Sequence, residues 1–229
     1  MGSLRQQLTS SRLKEITLGT LLGDGFLQPM KNGNVRLEIN HSSNQKEYLE
    51  WKYLKFKKFV RAKPYFVKIH DKRYKKDYFQ WRFKTRSDKF FIPFYNYFYK
   101  KGKKQIHKNI IEILKSPLSL AVWFMDDGGR RNDSYGLFLN TLSFSLKEQK
   151  TLVECLKKNF SLESRIHWIQ CGYRLYIPSK EAKRFCKIVN PYLLPTMKYK
   201  LSYNPVTTSF ARLDRARDRG KTSITRQYS

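Results

Sequence analysis

The sequence predicts an α+β fold of two similar halves, each running α-β-β-α-β-β-α, on three observations. An apolar helix that finishes in a carboxylate followed by glycine occurs twice, with Asp24 and Asp127 at the two ends. Alternating apolar and polar stretches follow each of these helices. Segments of helical spacing then separate the strands in the same order both times. Internal duplication this regular implies two halves related by a pseudo-two-fold axis, a symmetry shared by a DNA duplex.

The elements follow in chain order. A helix from Leu13 ends in Leu18-Gly19-Thr20-Leu21-Leu22-Gly23-Asp24-Gly25. Val35-Arg36-Leu37-Glu38-Ile39-Asn40 alternates as a strand does. Between Asn44 and Val60, the residues Tyr48, Leu49, Trp51, Tyr53, Leu54, Phe56 and Phe59 recur at helical spacing with lysines among them. Tyr65–His70 and Tyr78–Lys84 return to period two, which puts Tyr65, Val67 and Ile69 on a core with Phe79, Trp81 and Phe83. Lys68, His70, Gln80, Arg82 and Lys84 are then expected to face outward together. A helix from Ser87 to Tyr99 takes Ser87 as its N-cap and Asp88 in its first turn, with Pro93 disturbing the early turns.

The second half repeats the scheme. A helix after Pro117 ends in Leu120-Ala121-Val122-Trp123-Phe124-Met125-Asp126-Asp127-Gly128-Gly129. Then come a strand region at Tyr135–Ser143, a helix at Leu146–Phe160 opened by Ser145, strands near Arg165–Gln170 and Tyr173–Ile177, and a helix at Ser179–Val189. The expected divisions are an N-terminal extension at 1–12, a first half at 13–107, a linker at 108–116, a second half at 117–203 and a basic, mixed-charge tail at 204–229.

Charge narrows the partner. Lysine and arginine number 47 against 18 acidic residues, a formal net charge of +29. An enzyme of small metabolites has no use for such a field, whereas a polyphosphate does. Hydrophobic content of 40% with 15% aromatic residues excludes a disordered basic tail. The middle of the chain carries the excess: residues 51–104 hold 19 basic, three acidic and 18 aromatic side chains. A solvated sheet face is polar in any protein, but three strands sharing a mostly cationic face read better as a groove for a phosphate backbone. No run of about 18 apolar residues is present, so no membrane helix is expected. The N-terminus lacks the pattern of a secretory signal. Cys155, Cys171 and Cys186 fit neither a zinc pattern nor a disulfide framework and read as small reduced core residues.

The two carboxylates carry the chemistry. An acidic residue at a helix C-terminus opposes the helix dipole, and glycine closes each helix. One such ending is explained by capping. Two, at matching places in repeated halves, imply a carboxylate pair brought together at the symmetry axis. Close carboxylates repel unless a cation lies between them, and hard divalent ions prefer oxygen. Divalent ions beside a cationic groove are what phosphodiester hydrolysis needs. Gly19 and Gly23, at i and i+4, would let a partner helix approach closely.

These endings resemble the paired motifs of the LAGLIDADG homing endonucleases, in the single-chain branch with two motifs. The closer likeness is carried by Ser119 to Gly129, by Pro191-Tyr192-Leu193-Leu194-Pro195 and by Tyr199-Lys200-Leu201. Leu22 and Met125 replace the acidic residue of the family name, and Val122 and Asp126 stand where many members have small residues. The resemblance covers residues 13 to about 203 and implies antiparallel sheets forming a saddle over double-stranded DNA. It implies a monomer that cuts both strands of a long asymmetric site and leaves short 3′ overhangs. Asp24 and Asp127 would be catalytic metal-binding residues, with the backbone carbonyls of Gly23 and Asp126 contributing. Mg²⁺ would be the cofactor, Mn²⁺ a substitute, and Ca²⁺ an ion that binds without supporting cleavage. Lys104 and Lys200 match the family's lysine near each scissile phosphate, and Lys103 is a neighbour that sequence does not exclude.

Base readers on the outward strand faces would be Arg36, Glu38, Asn40, Lys68, His70, Gln80, Arg82 and Lys84 in the first half. In the second they would be Asn140, Arg165, His167, Gln170 and Arg174. His70 and His167 could equally be ordinary surface residues. Two other readings share the charge and the aromatics: an intron RNA maturase of the same fold, and a non-catalytic nucleic-acid-binding protein. The latter gives no reason for two carboxylate-glycine endings. The expected setting is an organelle or a prokaryotic cytoplasm, not the secretory route.

Overall fold

A computed structural model describes residue 8, residues 11–170 and residues 172–202 of the 229-residue chain. Most of the 1–12 extension, Cys171 and the 204–229 tail lie outside the described residues. The first half comprises α1 (Arg12–Leu22), β1 (Phe26–Pro29), β2 (Val35–Ser42), α2 (Lys46–Lys55), β3 (Tyr65–Asp71), β4 (Lys76–Lys84) and α3 (Ile92–Phe98). A two-stranded ladder of β5 (Tyr99–Lys100) and β6 (Lys103–Lys104) and a helical turn, α4 (Ile110–Ile113), lead to the second half. That half comprises α5 (Pro117–Asp127), β7 (Gly128–Arg130), β8 (Leu137–Leu139), α6 (Leu146–Phe160), β9 (Arg165–Ile169), β10 (Gly172–Ile177) and α7 (Ser179–Val189). Both large sheets are antiparallel and share one topology, β1-β2-β4-β3 and β7-β8-β10-β9.

Local chemistry sets the helix boundaries. Ser11, Ser116 and Ser145 cap α1, α5 and α6 by accepting from Lys14, Leu118 and Glu148 N–H. At α6 Glu148 also reaches back to the Ser145 N–H, completing a capping box. The expected cap at Ser87 is instead Asp88, whose carboxylate accepts from Phe90 N–H at 2.9 Å and opens a 3₁₀ turn, Lys89–Phe91, ahead of α3. Pro93 sits in the first turn of α3, where its missing N–H costs nothing. The single helix expected over Asn44–Val60 is three pieces: a 3₁₀ turn at Ser43–Gln45, α2, and a 3₁₀ turn at Lys57–Phe59.

The expected 108–116 linker is not an extended tether. Ile110, Ile113 and Leu114 are buried against α6, and Asn159 of α6 donates to the Ile111 and Leu114 carbonyls at 2.7 and 2.8 Å. Cys155 and Cys186 are buried and not in disulfides.

Register corrects one sequence expectation. Val67 pairs with Gln80, Ile69 with Tyr78 and Tyr65 with Arg82. Directly opposed residues of an antiparallel pair point to the same face, so these apolar residues share the face of Gln80 and Arg82. Lys68 and His70 lie on the opposite face with Phe66, Phe79 and Trp81. There both contact Asp77, at 2.9 and 2.8 Å. Period two is right for each strand, but the four-residue turn after Asp71, with Lys75 at φ 48°, sets their relative phase. A one-residue slip in phase exchanges faces.

Helices α1 and α5 cross at the centre of the molecule. A Cβ on Gly19 would lie 2.4 Å from the Ser119 carbonyl oxygen and 2.7 Å from Val122 Cβ, and one on Gly23 would lie 2.4 Å from Asp126 Cβ. The missing side chains of α1 thus accommodate the larger residues of α5. Ser119 Oγ donates to the Glu15 carbonyl at 2.8 Å and ties the crossing polar-to-polar. Gly19→Ala gains about 1 kcal/mol of helix propensity but drives a methyl into backbone. Overpacking of this kind wins, with a net loss of about 2 kcal/mol. Melting should therefore fall by roughly 4–8 °C for a chain of this size. An unchanged or raised melting temperature contradicts the close approach.

Candidate active site

Asp24 follows Gly23 at the end of α1, and Asp127 is the last residue of α5. Their local frames match: Gly23 N–H closes α1 on the Gly19 carbonyl, and Gly128 N–H closes α5 on the Phe124 carbonyl. The crossing therefore brings two helix C-termini and two carboxylates to one place. Each end also receives a lysine. Lys104 Nζ donates to the carbonyls of Gly23 and Gly25 at 2.8 and 3.0 Å. Lys200 Nζ donates to the carbonyls of Met125 and Asp126, the latter at 3.0 Å. Cations at helix C-termini offset the dipole and the carboxylates together. Burial lowers the pKa of Lys104 to about 8, against the pull of Asp127, Asp126 and Asp24. Burial lowers that of Lys200 as well, opposed by the same carboxylates. Lys103 is exposed beside Lys104.

Asp126 behaves unlike the sequence expectation of a metal-site neighbour. Its side chain is fully buried and reaches into the first half. Oδ1 accepts from Tyr48 Oη at 2.7 Å and Lys52 Nζ at 2.6 Å; Oδ2 accepts from Lys52 at 2.9 Å and from Asp24 N–H at 3.3 Å. Burial and then Asp126 push the Tyr48 hydroxyl well above its ordinary pKa, so it stays a donor. Gly23 makes this reach possible, because any side chain there would occupy the space of the Asp126 carboxylate. The Gly23 and Asp126 carbonyls, expected to face a metal, each already accept from a lysine, leaving a second lone pair.

The two catalytic candidates differ electrostatically. Burial raises the pKa of Asp24, but the adjacent His41 ring, with Lys52 and Lys200, more than offsets this and the net shift is downward. Asp127 goes the other way: burial, then the charges of Asp24 and Asp126, raise it to about 8 despite Lys104 and Lys200. His41 Nδ1 lies 3.4 Å from Asp24 Oδ2 and Nε2 lies 3.8 Å from Asp126 Oδ1. Asp24, His41 and Asp126 offer ligand atoms within 4.8 Å of one another.

Sequence reasoning missed His41, Tyr48 and Lys52 as site residues. A histidine in the inward phase of β2, after Val35, Leu37 and Ile39, was the available signal, as was a lysine on the same helical face as Tyr48.

Most of the expected base readers share the outer sheet faces. In the first half Arg36, Glu38, Asn40, Gln80, Arg82 and Lys84 form one polar surface. Arg36 bonds Gln28 and, at 2.6 Å, Glu38; Lys84 reaches Glu38 at 3.1 Å; Arg82 reaches Gln80 at 3.0 Å. In the second half Arg165, His167 and Arg174 share a face with Phe138 and Tyr176. His167 stacks on Tyr176 at 4.3 Å, and Arg174 lies over Phe138 at 4.5 Å. Burial, then Arg131, Arg174 and Arg165, lower the pKa of His167. Asn140 and Gln170 are exposed at the ends of β8 and β9, and Asn140 N–H bonds the Asp127 carbonyl at 2.9 Å. Lys68 and His70 are not part of this surface.

Two predictions follow from the charges. Lys52→Met leaves Asp126 buried without its counter-ion and should cost about 3–5 kcal/mol in chemical denaturation. Adding Asp126→Asn removes the stranded charge and should recover most of that loss; no recovery contradicts the ion pair. An Asp127 pKa raised to about 8 in the folded state disfavours its ionised form there. Its contribution to stability is intact below the ordinary carboxylate value and is lost as pH rises through about 8. Metal-free Asp127→Asn should therefore melt above the parent protein at pH 8, with the gap closing towards pH 4. A constant gap contradicts the shift.

Comparison with known proteins bears on the family and the fold. The profile of the LAGLIDADG DNA endonuclease family matches residues 14–185. The chain is 32% identical over 206 residues to probable intron-encoded endonuclease 1 of Wickerhamomyces canadensis, covering 87% of this chain and 88% of that one. It is 30% identical over 192 residues to cytochrome b mRNA maturase bI2 of Debaryomyces hansenii, covering 82% and 72% respectively. Its structure resembles that of the homing endonuclease I-WcaI bound to its DNA recognition sequence, with a TM-score of 0.79, 30% identity, and coverage of 88% and 91%.

Proposed function

Because the chain belongs to the LAGLIDADG DNA endonuclease family, we propose that it is a site-specific homing endonuclease hydrolysing both strands of a long asymmetric DNA site. The observation that carries this is the pair of carboxylates, Asp24 and Asp127, brought by the α1–α5 crossing close enough that the charge of Asp24 bears on Asp127. Their chemistry fits a divalent cation: hard oxygen donors, with burial and then the charges of Asp24 and Asp126 pushing Asp127 to about 8. Asp24 and Asp127 would hold Mg²⁺, which supplies an activated water and stabilises the leaving oxygen.

The chain's own residues do the rest. Lys104 and Lys200 hold the motif carbonyls and with them the backbone that carries each aspartate. Their charge favours the approach of a phosphate. The outer faces of β2 and β4, and of β9 and β10, read base edges, with Arg36, Arg82, Arg165 and Arg174 offering forked donors. The charge of +29 gives a strong, salt-dependent attraction to the backbone. The halves at 13–107 and 117–203 each serve one strand, joined through 108–116 in a monomer. Among the described residues no helix is long and apolar enough to cross a membrane. An organellar or prokaryotic setting suits an intron-borne nuclease.

The relative that is a maturase favours a second reading, in which intron RNA is also a partner. One experiment separates the two: cleavage of a randomised DNA-site library with Mg²⁺, with Ca²⁺, and by an Asp24→Asn, Asp127→Asn double variant. Discrete Mg²⁺-dependent cuts with short 3′ overhangs are expected, absent with Ca²⁺ and in the variant. DNA binding should persist in both and weaken steeply with salt. No cutting, with tight binding to a folded RNA, overturns the nuclease.

A further inference from the structure

His41 has no role in the scheme above, yet it lies at its centre. It is 2% exposed, and among the described residues neither ring nitrogen makes a hydrogen bond. A buried imidazole left unpaired is costly and calls for a missing partner. The ring is packed against Tyr48, with centroids 4.8 Å apart, so its orientation is fixed. Nδ1 faces Asp24 Oδ2 at 3.4 Å, long for a hydrogen bond. Donors bound to one ion at about 2.0–2.2 Å lie roughly 3–3.4 Å apart, which is this spacing. On the other side Nε2 faces Asp126 Oδ1 at 3.8 Å. With no hydrogen bond at either nitrogen, packing on Tyr48 rather than a carboxylate fixes the ring, and its Nδ1 points at Asp24. Asp126 itself is occupied by Tyr48, Lys52 and the Asp24 N–H, so Asp24 and His41 are the freer donors of the three.

The second half has no counterpart. Thr141 follows Asn140 as His41 follows Asn40. Its hydroxyl contacts Gln149 Oε1 at 2.7 Å and accepts from Leu175 N–H at 3.2 Å, so its bonding is complete. The two halves thus differ in ligand chemistry at equivalent positions.

We propose that His41, held by its packing on Tyr48, is a nitrogen ligand to the ion held by Asp24. The first half's site then takes later first-row transition ions such as Co²⁺ in preference to Mg²⁺, while the Asp127 site binds through oxygen alone. Imidazole suits the later first-row ions better than hard Mg²⁺ or Ca²⁺; Mn²⁺, lowest in the first-row order, gains least but is the ion that reports nitrogen coordination. This rests on the metal-dependent nuclease reading and adds an inequality between its two sites.

The test is the electron spin-echo envelope modulation spectrum of Mn²⁺ bound to the full chain, with and without DNA. The expected result is ¹⁴N modulation from a coordinated imidazole, lost in His41→Gln. That variant's Co²⁺ affinity should fall about tenfold or more, with Mg²⁺ affinity changing less. An oxygen-only spectrum in the parent protein, modulation that survives in His41→Gln, or no bound Mn²⁺ in either state overturns the inference. Should His41→Gln fail to fold, the parent spectrum alone decides. Mg²⁺-dependent DNA cleavage is scored separately. Cutting with an oxygen-only spectrum removes His41 and leaves the nuclease; nitrogen coupling without cutting supports the His41 site and removes the nuclease.

Discussion

Everything at the centre of this molecule depends on how closely α1 and α5 approach. Gly19 and Gly23 remove the side chains that would hold the helices apart, and Ser119, Val122 and Asp126 fill the space. Two helix C-termini, each ending in a carboxylate, are thereby forced together, with Asp24 reaching solvent and Asp127 half-buried. That is an unfavourable arrangement in isolation, since both dipoles and both charges are negative at the same point. The remainder of the site reads as its compensation. Lys104 and Lys200 neutralise the helix ends and Lys52 neutralises Asp126, and under the proposed function a divalent cation would partner the remaining carboxylates.

The pseudo-symmetry is exact in topology and broken in chemistry. Both sheets have one strand order and both motif ends receive a lysine. Yet Gly23 stands opposite Asp126, and His41 occupies a position equivalent to Thr141. At the crossing the break has a steric origin: at van der Waals distance only one of the two facing residues, Gly23 or Asp126, can carry a side chain. Once α5 supplies the carboxylate, α2 of the first half must supply Lys52 and Tyr48 to pair it, because an unpaired buried charge is prohibitive. An asymmetric DNA site is well matched by such a protein.

The parts of this site visible in the sequence are those encoded by short, local patterns. Asp24 and Asp127 stood out because apolar helix, carboxylate and glycine are contiguous. Lys104 and Lys200 stood out only through family resemblance. The repeated element order was legible too, since period and capping residues such as Ser145 act within a few positions. What escaped was long-range phase. Lys68 and His70 alternate correctly within β3, but the turn after Asp71 places them on the face away from Gln80 and Arg82. His41 and Lys52 looked like ordinary members of a strand and a helix. Their meaning comes from Asp126, more than seventy positions away. Period alone also could not show that Asp88 rather than Ser87 caps the turn before α3, because both residues can act so.

The central claim is that the crossing holds carboxylates in a state that a divalent ion relieves. Calorimetric titration of Ca²⁺ into the protein–DNA complex at pH 7, in two buffers of different ionisation enthalpy, tests it directly. Asp127, raised to about 8, is protonated before binding and ionised after it, so the account predicts release of about one proton per protein. That release should vanish in Asp127→Asn. Ion binding with no proton release, or with the same release in the variant, would contradict it.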